Sequence, residues 1–294
     1  MKLYYYRRRD NLPNFGDELN AQLWSHLLPG FFDGDETEIF VGFGTLLNDL
    51  LPERVKTAKR VIFFSTGAGY EKPLKAIAPH WEIHCVRGPL SAGMLGLPPQ
   101  MAVTDGAILV RHLFQPAPKK RDSFAFMPHV HHANFAKPAW QEICDRLGWR
   151  YIDPTDPVET VISAISETEV LLAEAMHGAI VADALRVRWI PVVTSPRILE
   201  FKWRDWCGSV EVPYRPQYLP PLSPYPRYGR GIRSGIAASR HWGKHLLQFP
   251  VSDSVAENLS QIAKNTPPQL SSDARLEGLI SELETRLEGL RRRL

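Results

Sequence analysis

The feature that most constrains this chain is a recurring alternation. Short apolar runs rich in β-branched and aromatic residues end in glycine, proline or a polar residue and are followed by amphipathic stretches. Runs of this kind suit strands buried on both faces, and the stretches between them suit crossover helices, so the pattern predicts βα units on parallel sheets. The expected strands of a first set are 2–6, 38–41, 60–64, 83–86 and 101–103, with helices over 18–28 and 90–96. The polar, proline-rich stretch Gln115-Pro116-Ala117-Pro118-Lys119-Lys120-Arg121-Asp122 interrupts the pattern and predicts a domain boundary. The alternation then restarts, with strands over 123–127, 149–152, 170–172 and 189–193 and helices over 139–147, 158–167 and 179–185. Two Rossmann-like domains, 1–115 and 121–212, are therefore expected to face one another across a cleft.

Beyond them, 213–271 reads as a proline-rich surface wrap carrying helices over 237–247 and 255–264. The tail, 272–294, repeats Leu276, Ile280, Leu283, Leu287, Leu290 and Leu294 at alternating threes and fours. That stripe predicts a helix that either docks on its own domain or forms a short coiled coil with a second copy.

The bulk chemistry excludes several classes. A net charge of +3 from 35 basic and 32 acidic residues gives no dominant field for duplex nucleic acid. No apolar run approaches the roughly 18 residues of a membrane span. The start, apolar first and then Arg7-Arg8-Arg9, reverses the order of a signal peptide. Cys85, Cys144 and Cys207 lie far apart, in neither a disulfide nor a zinc pattern. A cytoplasmic protein is expected.

Several motifs sit where strands meet helices. Asn14-Phe15-Gly16-Asp17 follows the first strand; Asp17 either caps the next helix or accepts a hydroxyl in the cleft. Gly42-Phe43-Gly44-Thr45 reads as a simple turn or as backbone N–H groups and a hydroxyl at a helix start, fit for an anion or a sugar. Arg87, in Arg87-Gly88-Pro89-Leu90-Ser91, stands where an arginine fork faces either a surface partner or a ligand carboxylate or phosphate. Asp105-Gly106-Ala107 is an Asx-turn or a site carboxylate. His177, in Ala173-Glu174-Ala175-Met176-His177-Gly178, stands at a helix N-terminus, where an imidazole donates to an anion or exchanges a proton. If His129-Val130-His131-His132 is extended, His129 and His131 share one side, as a proton donor or phosphate ligand; no carboxylate or thiolate lies beside them in sequence to complete a metal site. Arg197, Lys202 and Arg204 mix with Trp203 and Trp206, either as cations snorkelling over core indoles or as a phosphate clamp.

In this order and spacing the motifs resemble the polysaccharide pyruvyl transferase family, in particular its bacterial exopolysaccharide ketal-forming branch. The resemblance implies paired Rossmann-like domains of the glycosyltransferase-B type. It also implies transfer of pyruvate from phosphoenolpyruvate, without metal or other cofactor, to a sugar of a lipid-linked repeat unit at the inner membrane face. On that reading His177, Asp17 and Asp105 are catalytic. Arg87, His129, His131, His132, Gly178, Arg197 and Lys202 hold the donor, and Asn14, Gly16, Gly44 and Thr45 the acceptor. One departure stands out: Ala173 and Ala175 occupy the places where the family carries a serine and an arginine, so Arg197, Lys202 or Arg87 must supply the charge. Two other readings share these residues. One is a nucleotide-sugar glycosyltransferase, though no acidic ribose ligand stands in a matching context. The other is a non-catalytic assembly component whose terminal helix recruits a polysaccharide synthase.

Overall fold

The computed structural model describes residues 1–8, 10–117, 119–194, 198–220, 222 and 252–292. It is an α/β protein with two parallel sheets. The first contains β1 (Lys2–Tyr4), β2 (Glu38–Val41), β3 (Gly44–Leu47), β4 (Arg60–Ala68) and β5 (Trp81–Val86). β2 and β5 both pair with the start of β4, and so lie on its two sides; β3 pairs with the far end of β4, and β1 lies outside β2. The second sheet has β6 (Asp122–Met127), β7 (Arg150–Tyr151), β8 (Thr168–Ala173), β9 (Arg188–Val193) and β10 (Gln217–Tyr218), in the order β10-β9-β8-β6-β7.

The period-2 pattern explains how both sheets are covered. Along β4, Ile62 and Phe64 enter one core cluster while Val61 and Phe63 enter another on the opposite face. Along β8, Leu171 and Ala173 share the first of these clusters, while Val170 and Leu172 pack on the other side with Trp140, Val255 and Leu259. One continuous core thus joins the inner faces of both sheets. Helices α1 (Phe15–Leu27), α5 (Val158–Ser166) and α6 (Met176–Ala184) contribute Leu19, Leu23, Ile162, Ile165 and Ile180 to it.

Several expectations are corrected. Residues 101–103 form no strand, because Pro98 and Pro99 impose a 3-10 turn over Pro99–Met101 and only Ala102 bridges Val86. Gly44-Thr45 opens strand β3 rather than a helix, its N–H groups being drawn to the end of β4. The histidine segment is not extended: His129 is the N-cap of α4 (Val130–Leu147), which begins well before residue 139 and accommodates Pro138 inside it. The helices α2 (Leu51–Arg54) and α3 (Pro89–Met94) are short, and α7 (Glu200–Ser209) carries Trp203 and Trp206 into the core against Trp189. The wrap over 223–250 and the expected helix 237–247 lie outside the described residues, whereas α8 (Ser252–Asn265) covers the second sheet.

The tail helix α9 (Asp273–Arg291) settles against its own chain. Leu276, Leu279, Ile280, Leu283, Leu287 and Leu290 are buried in the central core, so the described part of the stripe docks on its own chain; Leu294 lies outside the described residues. Polar contacts fix the register. Arg275 donates to the Ser209 carbonyl at 2.9 Å, Arg286 to the carbonyls of His84 and Gln100, Arg291 to that of Leu27, and Glu284 meets His112 at 2.9 Å.

Candidate active site

The C-terminal ends of strands from both sheets converge on one cavity of about 480 Å³, the place where open α/β sheets bind ligands. Three helices begin on its wall: α1 after Asn14, α4 after His129 and α6 after Ala175. The first N–H groups of a helix lack intrahelical partners, and the helix dipole makes that end positive. Their convergence therefore favours an anion.

His177 stands in the second position of α6 and reaches across to the first sheet's side. Its ring packs edge-on against Phe43, with centroids 5.4 Å apart, and its Nε2 lies 3.7 Å from Asp105 Oδ2. Neither of these two atoms has a hydrogen-bond partner among the described residues. The approach depends on Gly16, because a Cβ there would come within 1.9 Å of His177 Nδ1. Asp105 is fully buried and held by its other oxygen, which accepts from the Ala107 N–H at 3.0 Å. The carboxylate thus closes the expected Asx-turn and also faces the imidazole.

Asp17 is the third residue of α1, not its cap; Asn14 is the cap residue, and its side-chain amide donates to Asp17 Oδ2 at 2.7 Å. Burial pushes the Asp17 carboxyl above its ordinary pKa, against the pull of Asn14, His177 and Lys202. Such a carboxyl is better matched to proton transfer than an exposed one.

Lys202, 8% exposed, comes from α7 and donates to the Tyr70 hydroxyl at 2.9 Å on the cavity wall. His129 and His131 line the same cavity, with rings 5.1 Å apart. Burial holds the His129 imidazole neutral, well below its ordinary pKa, helped by the charges of Lys202 and His131. Its Nδ1 accepts the His131 N–H, so Nε2 carries the ring's proton. Arg8, which sequence reasoning did not single out, lines the cavity from the loop after β1, bonded to Asp10 at 2.9 Å and to His131 Nδ1 at 3.3 Å. Among the described residues, Arg8, Lys202 and Arg54 are the Lys and Arg side chains on this wall.

Other expected residues stand elsewhere. Arg87 does not line the cavity: it is fully buried, bonded to Asp205 at 3.0 Å, Thr45 Oγ1 at 2.7 Å and the Ala68 carbonyl at 3.1 Å, its planar group pressed on Gly67. Gly44 and Thr45 edge the cavity while tied to that guanidinium. Gly178 packs on Met127, where a Cβ would meet the sulfur at 2.5 Å, and so sets the spacing of α6 on β6 rather than touching a ligand. His132 turns away from its neighbours into the protein, and Arg197 lies outside the described residues.

The partner of His132 is Glu174, a carboxylate that sequence reasoning did not place beside the histidines. Its Oε2 meets His132 Nδ1 and the His129 N–H, both at 2.9 Å, and its Oε1 accepts from the Thr194 hydroxyl at 2.6 Å. The only sequence hint is an acidic residue inside an apolar strand-end run. Burial would raise this carboxyl; the His132 and Thr194 contacts outweigh it and leave a pKa of about 2. The folded value lies below the ordinary glutamate value of 4.5, so the stabilisation is complete above that pH and is lost as pH falls towards 2. Urea midpoints measured across that range are expected to fall steeply in the wild type and less steeply in Glu174→Gln; equal slopes would refute this role.

With that geometry in view, residues 14–196 match the family described as polysaccharide pyruvyl transferase. The chain belongs to the polysaccharide pyruvyl transferase family. It is also 40% identical over 247 residues to a succinoglycan biosynthesis protein, ExoV, of Rhizobium meliloti (strain 1021), covering 83% of this chain and 73% of that protein. The match takes in β2 to β9 and ends just beyond β9, so the matched region holds most of the cavity wall, while Tyr6 and Arg8 precede it and Lys202 on α7 follows it. His177 lies within the matched region and lines the cavity. No described helix is long and apolar enough to cross a membrane.

Proposed function

We propose that the protein transfers pyruvate from phosphoenolpyruvate to a sugar of a lipid-linked exopolysaccharide repeat unit, as a cyclic ketal, at the cytoplasmic face of the membrane. The observation that carries the donor assignment is the convergence of three helix N-termini with Lys202 and Arg8 on the cavity that holds His177. Phosphoenolpyruvate presents a phosphate and a carboxylate on adjacent atoms, and this wall answers both with positive charge and N–H groups. Membership of the pyruvyl transferase family and likeness to a succinoglycan biosynthesis protein support the reaction and a polysaccharide acceptor. The two sheets sharing an active cavity fit a glycosyltransferase-B-like arrangement.

In the proposed chemistry His177 gives a proton to the methylene carbon of the donor, and an oxocarbenium centre forms at C2. A first sugar hydroxyl attacks that carbon and passes its proton to Asp17. Phosphate then leaves with the C–O bonding electrons, and a second hydroxyl of the same sugar closes the ketal, its proton passing to the now neutral His177 while Asp17 gives its proton to the departing phosphate. Asp105 orients the imidazole and supports its cationic form. Lys202, Arg8 and the neutral His129 N–H hold the departing phosphate.

Phosphoenolpyruvate is expected to raise the melting temperature, since a ligand bound only by the native state at a hundredfold excess over Kd adds about 2.7 kcal/mol. Inorganic phosphate release should then require both donor and glycan. A shift with nucleotide sugars and none with phosphoenolpyruvate would replace the donor assignment by glycosyl transfer.

A further inference from the structure

We infer that the ring of Tyr70 is the platform on which a pyranose ring of the acceptor stacks, setting its hydroxyls beside the Lys202 end of the cavity. This deepens the acceptor side of the reading above and rests on it. Tyr70 lines the cavity yet is 50% exposed, although single exposed aromatics are common and prove nothing alone. The backbone adds an independent observation. Tyr70 has φ +63°, in the left-handed region that a bulky side chain avoids, and it follows Gly69 at φ +124°. Gly69 is wedged, since a Cβ there would lie 3.1 to 3.3 Å from Leu199, Phe201 and Thr45. The chain therefore turns sharply after β4 and holds an aromatic ring out at the cavity mouth in an unfavourable conformation, a cost that typically persists at functional positions.

The hydroxyl explains how the ring is aimed. It accepts from Lys202, a nearly buried cavity lysine, so the phenol is tethered at its polar edge while much of the ring stays open to solvent. An aromatic face carries negative potential and attracts the polarised C–H groups on the flat side of a sugar. Glu71 and Arg54, both exposed and both on the cavity wall, offer an acceptor and donors to the sugar's hydroxyls around that face. A stacked pyranose would then sit against the lysine that the donor phosphate needs, which brings the two substrates together.

Saturation-transfer NMR on the full chain with methyl β-D-glucopyranoside and methyl β-D-galactopyranoside, without donor, tests this. At least one glycoside should show saturation concentrated on its ring C–H protons. Tyr70→Ala should weaken its binding about tenfold or abolish it. Tyr70→Phe should keep the sugar signal, because it retains the ring and loses only the lysine tether. Absence of saturation from both glycosides in the wild type, or equal saturation in wild type and Tyr70→Ala, overturns the proposal. A signal lost equally in Tyr70→Phe overturns it as well, by assigning the effect to the tether. Donor binding is read separately, by thermal shift with phosphoenolpyruvate in the wild type. A sugar signal without that shift leaves the stacking intact and removes the donor reading.

Discussion

Replacing His177 by alanine should lower turnover about a hundred- to ten-thousand-fold, the usual contribution of a general acid or base, while the protein stays folded. Its surroundings set the direction of that expectation. The imidazole faces Asp105 at 3.7 Å, too far for a hydrogen bond, and both facing atoms are unsatisfied among the described residues. Buried polar atoms left unpaired cost stability rather than add to it, so the pair is poor as a structural device and well placed to close on a substrate. Losing a group that acts as charge develops reduces kcat more than it changes KM for the donor. Gly16→Ala should produce the same loss indirectly, since its new methyl occupies the volume of His177 Nδ1. A folded His177→Ala protein with near-wild-type kcat would remove His177 from the chemistry and move attention to His129 and His131.

Arg87→Ala should be the most damaging substitution for stability, by about 3–5 kcal/mol, the range found when one member of a buried ion pair is removed. Asp205 would be left buried with its charge uncompensated, retaining among the described residues only the Ser91 contacts, an N–H at 2.9 Å and a hydroxyl at 2.5 Å. The guanidinium also ties β3, the end of β4 and α7 together through Thr45, Ala68 and Asp205, so its loss unfastens three elements at once. Arg87→Lys should recover only part of the loss, because an ammonium cannot reproduce the planar fork. Urea unfolding of the purified variants measures this. Wild-type stability combined with a raised KM for phosphoenolpyruvate would instead make Arg87 a donor ligand reached through a rearranged wall.

The period-2 runs made most strands legible, because both faces of β4 and β8 are covered and the residues say so. Local sequence was less informative where a glycine or proline admitted two outcomes. Gly44 serves a strand entry, and Pro138 sits within α4 instead of opening a helix at 139. The site was legible in part. His177, Asp17, Asp105, Lys202, His129 and His131 stand close together, since the ends of parallel strands share one edge. Arg87 follows the same rule of position, yet a carboxylate more than a hundred residues away turns it into the protein. Glu174, Asp205 and Arg8 act through partners distant in sequence, and no spacing rule encodes such pairs. The tail's repeat was visible, but a stripe of leucines specifies that something must cover it and not what.

That last helix has a consequence for how the chain is made. Leu276 to Leu290 fill the same core as Leu19 and Leu23, so residues near the two ends of the described chain complete one hydrophobic interior. A ribosome delivers the first sheet early, and domains ordinarily fold as they emerge. Here the first sheet emerges with part of its inner face open, and the segment that seals it follows the whole of the second sheet. The nascent protein must therefore carry exposed apolar surface until that helix emerges, which makes this interval, rather than the finished fold, its period of greatest exposure to aggregation and to chaperones.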